Sequence, residues 1–99
     1  MEEGILVLIS QTETKDKYGM PVKKDVSSSV YCKADSITRA EYNVAQQNGL
    51  RPQYKFTIRL LEYSGQNVVE YNKERYAVYR TYQPTKDDIE LYCEQREGI

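Results

Sequence analysis

At 99 residues, with 14 Lys+Arg against 15 Asp+Glu and a sequence pI near 5.5, the chain is close to neutral. That length holds one domain, 1–99, and the even charge speaks against a protein held to nucleic acid by surplus cations. No stretch approaches the roughly 20 apolar residues of a membrane helix, and Glu2-Glu3 before a short apolar run lacks the basic start of a signal peptide, so an intracellular product with no membrane partner is expected.

Ile5 to Ile9 is a continuous apolar run, which reads as a strand buried on both faces or set at a subunit contact. A polar, charged loop from Thr12 to Lys17, ended by Tyr18-Gly19 and Pro21, leads to a second strand. There Val30, Cys32 and Ala34 alternate with Tyr31, Lys33 and Asp35. Period two is then interrupted. Thr38-x-x-Glu41 has capping-box spacing: the Thr38 hydroxyl accepts from the amide of residue 41, and Glu41 reaches back to the amide of 38. Ile37 and Tyr42 hold the positions of a hydrophobic staple. Gly49 supplies a left-handed stop and Pro52 prevents resumption, so 38–48 reads as a helix of about three turns. Its apolar content, Ala40, Tyr42, Val44 and Ala45, is thin. Two roles stay open for it: a plug at one end of the sheet structure, or a projecting arm that packs in another subunit.

Beyond the helix, Tyr54, Phe56, Ile58 and Leu60 face one way and Lys55, Thr57 and Arg59 the other, in a strand expected to reach Tyr63. Ser64-Gly65-Gln66-Asn67 turns the chain into Val68 to Tyr71, and Asn72-Lys73-Glu74 into Arg75 to Gln83. In that segment Tyr76, Val78 and Tyr82 oppose Ala77, Tyr79 and Thr81. After Pro84 to Asp87, Ile89, Leu91 and Cys93 alternate with Glu90, Tyr92 and Glu94. Short antiparallel connections of this kind predict a mainly β fold: a small antiparallel β-barrel or sandwich of six to seven strands with one inserted helix-bearing loop.

The side-chain chemistry points away from catalysis. There is no histidine, the commonest general base, and the five glycines form no phosphate-binding loop. Cys32 and Cys93 lack the partners of a four-ligand zinc site and read as free, buried thiols. The acidic pairs Glu2-Glu3 and Asp87-Asp88 read as solvated carboxylates. Neither an enzyme nor a metal or cofactor site is expected. Ten tyrosines stand against one Phe and no Trp. Tyrosine covers a sheet with its ring while its hydroxyl meets water, which accounts for most of them. Others suit protein–protein contacts, where Tyr and Arg are enriched. Base stacking beside a basic groove is the third reading, for which Lys55 and Arg59 offer a weak surface.

After the helix come Gly49-Leu50-Arg51-Pro52-x-Tyr54-Lys55-Phe56, then Val69-Glu70-Tyr71, then Glu74-Arg75-Tyr76-x-Val78-x-Arg80-Thr81-Tyr82, and last Ile89-Glu90-Leu91-x-Cys93-Glu94. This order, from about Ile5 to Gly98, resembles the head-closure proteins of tailed bacteriophages, also called head–tail joining or stopper proteins. The resemblance implies a small β-barrel with an extended helix-bearing loop, here Ser36 through Gln53. It implies a ring of copies beneath the portal or adaptor protein, closing the capsid exit after packaging and docking tail proteins. Packaged DNA would pass through without specific binding, each subunit being soluble alone. The place of action would be the head–tail interface of the virion, and the host bacterial cytoplasm during assembly. Arg39, Tyr42, Arg51 and Tyr54 are then expected at subunit or adaptor contacts. The alternatives are a tail-terminator or tail-completion subunit and, in another class, a single-strand nucleic-acid-binding β-barrel.

Overall fold

Alternation of apolar and polar residues along six segments closes one antiparallel sheet on itself. A computed structural model describes residues 2–96; the outermost residues of the 1–99 domain, and the last of the resemblance at Gly98, lie outside them. The elements are β1 (Glu2–Lys15), β2 (Pro21–Ser36), α1 (Arg39–Gln47), β3 (Pro52–Arg59), β4 (Val68–Tyr71), β5 (Glu74–Tyr82) and β6 (Asp88–Glu94). Around the barrel they run β1-β2-β3-β6-β5-β4 and back to β1. The expected small barrel with one inserted helix is therefore the fold, with six strands. Closure removes the open edges that a flat sheet of this size would carry.

The core follows the period-two reading. Val30, Cys32 and Ala34 of β2, Phe56 and Ile58 of β3, and Ile89, Leu91 and Cys93 of β6 all point inward and are buried. The run from Ile5 to Ile9 obeys the same alternation over most of its length: Leu6 and Leu8 are fully buried, while Ile5 is 49% exposed. Burial on both faces is thus confined to its end, where Ile9 is covered as well. At the centre Phe56 packs on Tyr54, Tyr71 and Tyr76, with ring centroids 5.3, 5.0 and 6.4 Å away. The Tyr71 hydroxyl donates to Glu2 at 3.4 Å and that of Tyr76 to Glu74 at 3.1 Å, so polar tips leave the core at its rim. Cys32 and Cys93 are free and buried, and burial pushes both thiols up, away from the reactive thiolate.

Four local expectations are corrected. Thr12 to Lys15 belong to β1, because β1 and β2 pair without interruption from Glu2↔Ala34 to Lys15↔Pro21. The turn is only Asp16 to Met20, held by the Asp16 carboxylate accepting from the N–H groups of Tyr18 (2.8 Å) and Met20 (2.9 Å), with Gly19 at φ +77°. The hairpin therefore continues about six residues beyond the barrel, on the order of 20 Å, and the molecule measures 50 × 30 × 24 Å. β3 stops at Arg59, and Leu60–Glu62 forms a single 3-10 turn instead of more strand. In β5 the ladder shifts between Val78 and Arg80, so Tyr79 and Arg80 share the outer face and Tyr82 leaves the side of Tyr76. Last, the connection of β4 to β5 is a two-residue turn with Asn72 at φ 51° and Lys73 at φ 69°, the left-handed pair that matches strand twist.

Candidate functional site

The helix-bearing loop lies outside the barrel wall and is only lightly packed on it. Its ends are well made. Thr38 Oγ1 accepts from the Glu41 N–H at 3.3 Å, and Glu41 suits the positive end of the helix. At the other end the N–H of Gly49 donates to Gln46 and that of Leu50 to Ala45, both at 3.0 Å, with Gly49 at φ +78°. These two bonds close the helix as a Schellman motif.

The reciprocal half of the capping box is absent, because Glu41 has stronger partners elsewhere. Its Oε1 accepts from Arg80 Nε at 2.6 Å and from the Tyr79 hydroxyl at 3.3 Å. The bulge in β5 is what allows this, since it turns two successive side chains toward the helix. The Arg80 guanidinium lies 3.7 Å from the centre of the Tyr92 ring. The Tyr79 and Tyr92 phenols are both pushed up, first by burial and then by the carboxylates of Glu41 and Glu90 respectively. Both stay protonated donors at neutral pH. The helix is thus held to the outer face of β5 and β6 by a polar clamp.

Apolar packing adds little. Ala45 is the buried residue of α1; Tyr42 is 44% and Val44 57% exposed. Of the four expected contact residues, Tyr42 and Arg51 border one groove of about 470 Å³ together with Gln46 and Leu50. Arg39 is exposed at the start of the helix, and Arg51 is exposed with its carbonyl accepting from the Gln95 N–H at 3.0 Å. Tyr54 is elsewhere. It is half-buried in the aromatic core, stacked on Phe56 and edge-on to Tyr71 and Tyr76 at 5.5 Å. The structure therefore brings Tyr42 and Arg51 to one groove, leaves Arg39 exposed at the start of the helix, and turns Tyr54 toward the core. That Glu41 meets Tyr79 and Arg80 has no mark in the sequence, since no local spacing joins residues 38 positions apart that come together through a bulge.

Among the described residues no three His, Cys, Asp or Glu side chains gather as metal ligands, and no helix is long and apolar enough to cross a membrane. The surface here carries the exposed Tyr42 ring and the Arg51 guanidinium beside a groove. Replacing Glu41 with alanine should free the helix and leave the barrel intact. The clamp is partly exposed, so the expected cost is about 1 kcal/mol, or about fivefold more frequent opening. Hydrogen exchange of amides 39–47 should accelerate by that factor while those of β6 stay unchanged. No protein-family model matches the chain, and no curated protein matches it at a significant level.

Proposed function

We propose that the chain is a head-closure subunit of a tailed bacteriophage, acting as one member of a ring between the portal or adaptor protein and the tail. The observation that carries this reading is the helix-bearing loop: its helix buries Ala45 alone, while Tyr42, Val44, Arg39 and Arg51 stay on the surface. A helix with two well-formed ends and almost no apolar anchorage at home is suited to pack on a neighbour. The resemblance in residues 49–56 and 69–94 supplies the setting.

The mechanism is differential association. A portal or adaptor template fixes neighbouring copies close together, so contacts too weak for free subunits suffice on the template. Arg39, Tyr42 and Arg51 would anchor those contacts, and the neutral charge of the subunit leaves passing DNA without a strong electrostatic hold.

Alanine at Arg39, Tyr42 and Arg51 together should lower the yield of joined particles at least about tenfold, the effect of losing interface anchors, with the thermal midpoint unchanged. Joining at the wild-type level would overturn the assignment. Electron microscopy of particles lacking the protein tests the setting: unjoined tails and DNA-leaking heads are expected, and tails of aberrant length would point to a terminator instead.

A further inference from the structure

The hairpin arm beyond the barrel has no use in the core. Residues 11 and 13–29 are exposed at every position whose side chain is described, and the arm touches the barrel through Arg75, which reaches Asp25 at 3.6 Å. A two-stranded ribbon in water is marginal by itself; a third strand or a covering surface is what normally stabilises one. Both outer edges of this ribbon are open. Among the described residues, β4 pairs with β1 only at 7–9 and β3 pairs with β2 only at 33–36. That leaves β1 beyond residue 9 and β2 before residue 33 each with one edge that no third strand covers. Where β2 and β3 separate, a cavity of about 550 Å³ opens beside Tyr31, Lys33 and Arg59.

The two faces of the ribbon also differ. Paired residues of antiparallel strands share a face, so Thr14 with Val22 and Ser10 with Val26 form one side, and Glu13 with Lys23 and Gln11 with Asp25 the other. On the first side Val22 is 43% and Val26 52% exposed, with Lys24 between them.

We propose that this arm docks edge to edge on the arm of a second copy of the chain, β2 of one copy against β1 of the next. Side by side and pointing the same way, two such hairpins meet with β2 antiparallel to β1, the relation they already have within one copy. Each open edge then finds backbone partners. In matching register, Lys23 of one copy stands beside Glu13 of the next, so charge alternates across that face, while Val22 and Val26 stand beside Thr14 and Ser10 of the next copy on the other. The contact is head-to-tail, which propagates into a ring or an open series and does not stop at a dimer. This deepens the ring reading above, but it is read out on the purified chain, so it can fail while head–tail joining stands, and the reverse.

The test is sedimentation of the full chain at low ionic strength up to millimolar concentration. Wild type is expected to form species larger than a dimer. Glu13→Lys alone and Lys23→Glu alone should each weaken association about tenfold, since every seam then opposes like charges. An equimolar mixture of the two should associate as wild type does, because alternating copies restore opposite charges at each seam although each hairpin keeps its own like-charged pair. A variant in which Asn-Gly joins Gln11 directly to Asp25 keeps the barrel and the Arg75 contact, and should be monomeric with the near-ultraviolet dichroism of the buried rings retained. A wild type that stays monomeric, an arm-deleted variant that still associates, or a mixture no better than its components would each overturn the proposal.

Discussion

Phe56→Ala is expected to destabilise the barrel by about 3–5 kcal/mol and to lower its thermal midpoint by at least about 12 °C. Phe56 is fully buried and is the hub of the aromatic cluster, in contact with Tyr54, Tyr71 and Tyr76. Those three rings rise from β3, β4 and β5, and the hydroxyls of Tyr71 and Tyr76 are held by Glu2 and Glu74, which limits collapse into the space that the lost ring leaves. A loss of that size is a large part of the about 5–15 kcal/mol that holds a domain folded. Phe56→Leu, which keeps most of the volume, should cost less than half as much. Tyr54→Ala belongs to the same experiment. Because its ring is part of this cluster, it should lower the midpoint, whereas Tyr42→Ala on the exposed helix should not. Equal midpoints for Tyr54→Ala and wild type would return Tyr54 to the contact surface.

That contrast shows where the sequence was legible. The inward faces of β2, β3 and β6 could be read because burial on one side imposes alternation on the side chains. The same alternation that places Phe56 and Ile58 inside places Tyr54 inside. Its assignment to a contact surface came with the resemblance, whereas parity alone places its ring in the aromatic cluster. The arm was illegible for the opposite reason. A ribbon with no core on either side has no buried face to enforce a strong pattern, so Thr12 to Lys15 read as loop. The faint alternation of Thr14, Val22 and Val26 with Glu13, Lys23 and Asp25, broken by Lys24 on the valine face, is visible only once the pairing is known.

The helix illustrates a third case. Its ends were legible from Thr38 and Gly49, since caps are local. Where Glu41 points was not, because a guanidinium brought by β5 outcompetes a neighbouring amide, and the bulge that brings it has no signature in the residues themselves. Local chemistry therefore placed the candidate contact surface, and the ladder register decided what braces it.

The same tyrosines make the fold sensitive to alkali. A phenol in an unfolded chain titrates near 10. In the barrel Tyr76 is pushed up to about 12, first by burial and then by its hydrogen bond to the Glu74 carboxylate. Between these values the unfolded chain has lost the proton that the folded chain still holds. The folded state then binds more protons, so stability falls as pH rises. Its contribution is complete below pH 10 and gone above about 12, and Tyr76 alone accounts for about 2–3 kcal/mol across that window. Tyr63, Tyr71, Tyr79 and Tyr92 are raised as well, burial being the leading cause for each, and the buried thiols of Cys32 and Cys93 add the same sign from lower pH. The barrel should therefore unfold cooperatively in the interval from pH 10 to 12, with phenolate absorbance at 295 nm and loss of strand circular dichroism changing together. Tyr76→Phe should remove about 2 kcal/mol of the alkaline loss while changing stability at neutral pH by about 1 kcal/mol or less, the worth of one hydrogen bond. Phenols that all titrate while the strand signal persists would show that these rings are not held in a closed core.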